Sequence, residues 1–583
     1  MLGGTDRRLD LLLLALALAL FFGFNLGQRA LWSPVEGRYA EIPREMVVTG
    51  DYVTPRLNGV VYFEKPPLFY WLEALSIKLA GLSEWSFRLW PALFALLGCL
   101  IVYGAGRELF GPRAGLLASV VLATSPLYYV LGRVVAVDMA LSFFLAAALL
   151  AFLLGVRAPP GPKRRRLLWS FYLCAALATL TKGLMGVVLP ALVIGAWIAL
   201  LGEWKILKNI YLPSGMVLFA AVAVPWHLVV AARNPEFAYF YFIREHFERY
   251  LLEEEGTMGQ AWVYIPVLLV GLFPWVAFLF QSIKTSLAFT WSRRRHHKEE
   301  SFLSLWAVVI FLFFSGSGSR LSTYVLPVLP PLALLIGRSF SEWWDGAPAP
   351  GFWPGVWAAA ATMALLVLVG ASAPQHGLER YSNWPSLEVP SDDATVPSTR
   401  SERYGDIERL KPYLYAQALL LLGGAAAAAL AARRRSVGGI FSALAVTSAL
   451  FLTVVDLGFP LLDDRRSVKS LALLLKPRLG PADEVATYRT YYQDLPVYLE
   501  RRVSVVDWRG ELAFGARIED ASGWMLDGPE FWRRWDGGKA MYALTDRENY
   551  ERLRAEARPG IYLLAGNDYN VLLTNRLERS GMQ

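Results

Sequence analysis

The stretch WSPVEGRYAEIPREMVVTGDYVTPRLNGVVYFEKPPLFYW, Trp32–Trp71, separates the first long apolar run of the chain from the next. It carries Glu36, Arg38, Glu41, Arg44, Glu45, Asp51, Arg56, Glu64 and Lys65, interleaved with Tyr39, Tyr52, Tyr62, Phe63, Phe69, Tyr70 and Trp71. A turn between two membrane helices needs only a few polar residues. A connector this long and this charged is either an amphipathic segment lying on the bilayer surface or one wall of a binding or catalytic site, since long ordered loops usually carry function. Topology decides between the two.

Of the 583 residues, 55% are hydrophobic and 18% charged, and the mean hydropathy is +0.37. A soluble protein carries about a quarter charged residues. Several runs of about 20 mostly apolar residues make this a polytopic α-helical membrane protein. The net charge of +8 sits in short Lys/Arg clusters between spans, as orientation signals do. Zinc-finger spacing, an RNA-binding aromatic motif and a long basic helix are all missing from the sequence, so nucleic acid is excluded as a partner. Cys99 and Cys174 fall inside apolar runs and read as packing residues rather than a disulfide or metal site. Arg7 and Arg8 precede Leu11–Phe24, with no small-residue cleavage site after it, so this run is expected to be a retained first span.

With the N-terminus cytoplasmic, the positive-inside rule can be tested along the chain. The first span delivers Trp32–Trp71 to the outside. Spans at about Phe87–Gly106, Ala114–Val130 and Met139–Val156 follow, with Arg107 and Arg113 inside and GRVVAVD outside. The inside loop PPGPKRRR, with Lys163 to Arg166, is a strong anchor. Spans ending at Lys182 and near Gly202 lead to Lys205 and Lys208, and Leu212–Ala232 opens a second outside loop, Arg233–Gln260. The eighth span returns at Ile283 before SRRRHHK, Ser292–Lys298, and the ninth ends at the GSGSR turn, Gly316–Arg320. The tenth runs about Thr323–Gly337, the eleventh exits to the Pro/Ser-rich Ala373–Lys411, the twelfth ends at Arg433–Arg435 and the thirteenth near Phe459. About thirteen spans are expected, and an odd count puts the C-terminus outside. From Pro460 on, VSVVDW, AMYAL and IYLLAG alternate with helical stretches such as ENYERLRAEA, predicting a small α/β domain on the outside face over 460–583 beyond a membrane domain over 1–459.

On this topology, polar residues from distant segments converge on the outside face. They are Glu36, Arg38, Tyr39, Glu64 and Lys65, then Arg133 and Asp138, then Lys182, then Arg244 to Tyr250, then Arg320 and Tyr324. Charge at a membrane edge is costly, so each needs a partner or a task. A single Arg or Tyr there is as well explained by snorkelling or headgroup anchoring, and that explanation weakens for the whole set. Convergent cations among aromatics suit an anionic substrate, most simply a lipid-linked phosphate. Carboxylates among them suit general-base work on an acceptor hydroxyl. Glu64 and His246 are a candidate pair for a divalent metal.

Taken together, YFEKPPLFYW with EGRYAEIPREM upstream, DMALSFF from Asp138, TKG at Thr181–Gly183 and RLSTYVLP from Arg320 resemble the polyprenyl-phosphate-dependent glycosyltransferases of the GT-C class. Within that class the chain is most similar to the lipid A aminoarabinose transferases, which are related to the protein O-mannosyltransferases. YYQDLPVYLERRV, Tyr491–Val503, extends the resemblance into the C-terminal segment. It implies that Arg38, Tyr39, Tyr62 and Lys65 bind the undecaprenyl phosphate, with Arg249, Arg320 and Tyr324 where phosphate, sugar or lipid contacts fall. It also implies that Asp138 is an acidic residue of the active site and that Glu64 and His246 hold a metal, Zn or Mg/Mn, in some relatives. One departure stands out: the family usually carries Asp-Glu before this Arg-Tyr pair, and here Val35 occupies the Asp position. Either Glu36 or Asp138 then serves as the base, or the acceptor is an anionic phosphate that needs none.

The expectation is an inverting glycosyltransferase of the bacterial inner membrane, acting as a monomer. It moves a sugar (4-amino-4-deoxy-L-arabinose or a hexose) from undecaprenyl phosphate to lipid A, another glycan or a protein. An O-mannosyltransferase-like enzyme is the alternative within the class, and a non-catalytic lipid flippase or transporter the alternative outside it. A flippase would line a path through the bilayer with charge, whereas here the charge gathers at one face.

Overall fold

The computed structural model describes residues 7–251, 261–287, 297–346, 351–376 and 400–576. Most of Ala373–Lys411 and of the basic run Ser292–Lys298 lies outside the described residues. Helix α1 (Arg7–Gly23) enters the charged loop, which folds as α2 (Val35–Thr49), a hairpin of β1 (Arg56–Leu57) and β2 (Val60–Val61), and α3 (Leu68–Ala80). The hairpin turn is Asn58-Gly59, both at positive φ, the dipeptide that a tight two-residue turn selects. Then come α4 (Glu84–Phe110), α5 (Pro112–Ala123), α6 (Pro126–Leu131), α7 (Val137–Arg157), α8 (Pro162–Lys182), α9 (Met185–Leu201) and α10 (Leu212–Arg233).

Among the described residues, six helices are long and apolar enough to cross a membrane, and a bent pair makes a seventh. Two expected spans are broken. The third is split at Thr124 between α5 and α6, because Ser125 precedes Pro126 and takes the extended conformation that a following proline favours. The eighth is two helices, Tyr264–Gly271 and Val276–Leu287, bent by 105° across a break that contains Pro274, which cannot donate a helical hydrogen bond.

The C-terminal segment forms a six-stranded sheet in the order β5-β4-β3-β6-β8-β7. Strands β3 (Glu484–Tyr488), β4 (Ser504–Val506), β5 (Met525–Leu526) and β6 (Met541–Asp546) are parallel. The last two, β7 (Tyr562–Gly566) and β8 (Asn570–Thr574), form an antiparallel edge. VSVVDW, AMYAL and IYLLAG supply β4, β6 and β7, and ENYERLRAEA lies over the helix Arg547–Ala555 and its end. Successive strand residues face opposite sides. Val485 therefore joins the large core that runs continuously into the helical bundle, while Ala486 and Tyr488 join a smaller core with Phe531 and Trp535.

Helix α2 is the junction. Glu36, Gly37 and Tyr39 to Met46 are buried between the bundle and the sheet domain, so this part of the loop is an interior element rather than a helix on the bilayer surface. Gly37 is required there: a Cβ would lie 2.4 Å from the Asp494 nitrogen. Around it, Ser33 Oγ donates to Asp494 at 2.5 Å, Asn58 exchanges two hydrogen bonds with the Val503 backbone, and Arg56 forms a bidentate pair with Glu519.

Candidate functional site

Glu36 is buried, 2% exposed. Arg88 grips both of its oxygens, at 3.0 and 2.8 Å, and Arg29 reaches Oε1 at 2.9 Å. The backbone N–H groups of Trp32 and Val135 complete its shell. Burial opposes its charge, but the two guanidiniums outweigh burial and hold its carboxyl below the usual range. Glu36 as a candidate base is therefore corrected: every lone-pair direction is taken, and its work is to tie the end of α1 to α4 and to the loop that leads into α7. Arg133 is also structural, making a bidentate pair with Asp456 at 3.0 Å and donating to the Phe22 carbonyl at 2.8 Å.

Asp138 opens α7, where the helix dipole favours a carboxylate. Lys182, the last residue of α8, donates to it at 2.5 Å, and the same ammonium lies 4.2 Å from the centre of the Tyr324 ring. Gly183 makes this geometry possible. Its φ of +66° turns the chain out of α8, and a Cβ there would lie 2.2 Å from His246 Nε2. Tyr39 stacks on Tyr70 at 5.9 Å; burial and then the Asp138 charge raise its phenol well above the ordinary range. Arg320 lies in the turn before Tyr324 and donates through Nε to the Ser315 carbonyl at 3.4 Å.

The second half of the site centres on Glu64. Arg38 and Lys65 approach its Oε2 at 4.0 Å and Arg249 at 3.8 Å, and Tyr62 hydrogen-bonds to it. Burial again opposes its charge, but Lys65, Arg38 and Arg249 keep its carboxyl below the ordinary value. Glu245 draws Arg249 to 3.0 Å and Lys65 to 3.4 Å. The contacts to Glu64 are longer than the roughly 2.8 Å of a strong charge-assisted hydrogen bond. The cations face Glu64 without being saturated by it, so an incoming phosphate can draw them closer. Unlike Glu36, these groups keep 9–23% of their side-chain surface open, as do Asp138 and Lys182.

Sequence reasoning missed Glu511. It comes from the C-terminal domain and pairs with Arg38 Nη2, while Gln493 donates to its other oxygen at 2.9 Å. Burial pushes its carboxyl up to about 7 despite Arg38. No local pattern separates Glu511 from its neighbour Glu519; only the fold places it here.

The donor set does not fit the expected metal. His246 is neutral, with Nδ1 donating to the Tyr241 carbonyl at 2.6 Å and Nε2 accepting from the Leu184 N–H at 3.1 Å. Burial lowers its pKa to about 4. Both ring nitrogens are thus committed to backbone, and Glu64 is ringed by cations that would repel a divalent ion. Among the described residues no group of three or more His, Cys, Asp or Glu is disposed to hold one.

Comparison with known proteins bears on the family. Residues 64–228 match the dolichyl-phosphate-mannose-protein mannosyltransferase family, and residues 471–575 the aminoarabinose transferase C-terminal domain. The crystal structure of ArnT from Cupriavidus metallidurans bound to undecaprenyl phosphate superposes with a TM-score of 0.84 at 28% identity, over 99% of this chain and 100% of that one. The Edwardsiella ictaluri (strain 93-146) undecaprenyl phosphate-α-4-amino-4-deoxy-L-arabinose arabinosyl transferase is 32% identical over 324 residues, which is 55% of this chain and 58% of the relative's length. Its counterpart from Pectobacterium carotovorum subsp. carotovorum (strain PC1) is 30% identical over 560 residues, 92% of this chain and 93% of the relative. On the strength of that full-length match, the chain belongs to the undecaprenyl phosphate-α-4-amino-4-deoxy-L-arabinose arabinosyl transferase family.

Proposed function

We propose that this protein is an integral membrane glycosyltransferase that moves 4-amino-4-deoxy-L-arabinose, or a closely related sugar, from undecaprenyl phosphate to lipid A or another acceptor at the periplasmic face. The observation that carries this reading is the ring of Arg38, Lys65 and Arg249 around Glu64, in the same site region as the Asp138–Lys182 pair and Tyr324. In the topology adopted here about thirteen segments cross the inner membrane, broken ones included. The N-terminus is cytoplasmic, the sheet domain periplasmic, and the enzyme a monomer. In support, Lys163 to Arg166 sit at the start of α8 and Lys182 at its end, and a 21-residue helix puts them about 30 Å apart, the thickness of a bilayer core.

The chemistry is one displacement. The acceptor oxygen attacks the anomeric carbon from the face opposite the lipid phosphate. The bond from that carbon to the phosphate oxygen breaks, its electron pair stays on the phosphate, and configuration inverts. Lys65, Arg249 and Arg38 neutralise the charge that develops on the leaving phosphate, the electrostatic contribution that dominates in such sites. Asp138 takes the proton of a hydroxyl acceptor, or orients an acceptor phosphate that is already ionised. Lys182, itself seated over the Tyr324 ring, holds Asp138 in position. No step passes through a metal.

The test uses purified protein with the sugar-linked polyprenyl phosphate, with and without lipid A. Free polyprenyl phosphate should appear only when acceptor is present. Lys65→Ala and Asp138→Asn should each lower turnover by about 10²–10³-fold at unchanged thermal stability. Undiminished turnover in both variants would dismiss the site, and movement of intact donor across the bilayer without release would favour a flippase. Mass spectrometry of lipid A and of exported proteins from a deletion strain separates the acceptors.

A further inference from the structure

From the middle of α4 to its end remote from the site, the bundle carries an open groove of about 310 Å³ between α1, α4 and α7. Leu11 on α1, Leu100 and Ile101 on α4 and Phe143 on α7 form its apolar walls, and Arg107 stands at the α4 terminus. Gly104 is the gap that opens it: a Cβ at this position would meet nothing within 4 Å. Arg107 donates to the Tyr103 hydroxyl at 3.2 Å and makes no ion pair among the described residues. Its neighbours at the same end differ, since Lys163 takes Glu108 at 2.8 Å, Arg113 takes Asp345 and Arg338 takes Glu300 at 2.6 Å.

We propose that this groove is a lipid site that takes one acyl chain of an anionic phospholipid, with its phosphate on Arg107. A guanidinium without a carboxylate partner suits a phosphate oxygen pair, and an apolar trough lined by a glycine suits an unbranched chain. On the proposed function, the headgroup of the donor lipid does not account for Arg107. Its phosphate belongs among Arg38, Lys65 and Arg249, on the side of the molecule where Arg88 grips Glu36. Arg88 and Arg107 are nineteen residues apart on α4, about 28 Å at the α-helical rise.

The experiment uses the full chain in lipid nanodiscs that contain phosphatidylglycerol with a photoactivatable group in the middle of one acyl chain, followed by peptide mapping. Labelling should concentrate several-fold on the α4 peptide around Leu100–Gly104 and on Phe143, relative to a phosphatidylcholine probe of the same chain. Arg107→Gln should reduce the phosphatidylglycerol signal to the phosphatidylcholine level. Gly104→Leu, whose Cβ meets nothing within 4 Å and whose side chain extends into the groove, should remove labelling by both probes. Sugar transfer should persist in both variants, since neither residue touches the site. Labelling no greater than on the outward face of α10, or unchanged in both variants, overturns the proposal. So does displacement of the probe by polyprenyl phosphate but not by unlabelled phosphatidylglycerol.

Discussion

Glu36 and Glu45 lie on the same short helix and are held in opposite states of charge. Two guanidiniums keep Glu36 ionised. Glu45 is buried beside Glu41, whose charge Arg44 already takes through two bonds of 2.6 Å. Burial first, and the Glu41 charge second, push Glu45 up to about 8, and its oxygens accept the Gly59 N–H of the hairpin turn. At neutral pH Glu45 is therefore a neutral acid in the fold and an ionised one in the unfolded chain. The folded state binds the extra proton between about 4.5 and about 8, so its stability falls as pH rises through that window and is fully present below it. Glu45→Gln, which stays neutral and keeps an acceptor for Gly59, should flatten this loss. Its thermal midpoint in detergent should match the parent near pH 5 and exceed it by several degrees at pH 8.5. A variant midpoint that falls as steeply as the parent's over that range rules this out.

The helix Tyr239–Glu248 shows how an element can serve two surroundings. It follows an i→i+5 hydrogen-bond pattern, which winds more residues per turn than an α-helix and keeps residues four apart on one face. Tyr239, Ile243, Phe247 and the following Leu251 are all exposed, Leu251 to 72%, while Tyr241 is buried and Glu245 turns toward Lys65. In a membrane enzyme an exposed apolar stripe backing a charged site faces lipid. Phe247→Asp should leave the fold intact and raise KM for the lipid-linked donor several-fold with little change in kcat, as measured in a vesicle assay. An unchanged KM would count against lipid contact at this face. The sequence YFYFIREHFERYL does not by itself set the direction of this stripe, because α and wider windings place residues 239 and 251 differently. The broken spans were hidden for a related reason: hydropathy averages across Thr124 and Pro274 and cannot register a 105° change of direction.

At the scale of the whole molecule, the C-terminal sheet domain contacts the candidate site. Gly37 seats it against the bundle, and Glu511 reaches across to Arg38. Gly37→Leu should force α2 and Asp494 apart, an overpacking cost of about 1–3 kcal/mol. Hydrogen exchange should rise in residues 484–506, and turnover should fall because Arg38 loses its brace. Unaltered exchange there, together with full activity, would mean the domain is only tethered.

The membrane class, the order of most helices, the strands β4, β6 and β7, and the convergence of Arg38, Lys65, Asp138 and Lys182 on one end of the bundle were all legible in the sequence. Each follows from local hydropathy, residue period or the alternation of spans, which act over one helix length. The role of each carboxylate was not legible. Glu36, Glu45, Glu64 and Asp138 all carry the same carboxyl group to a sequence, and what separates them is burial and the count of cations that other segments bring within 4 Å. Arg88, Arg249 and Glu511 lie far along the chain from the acids and the arginine they face, so only the tertiary structure decided which acid braces the fold, which stays neutral and which is left open to a substrate.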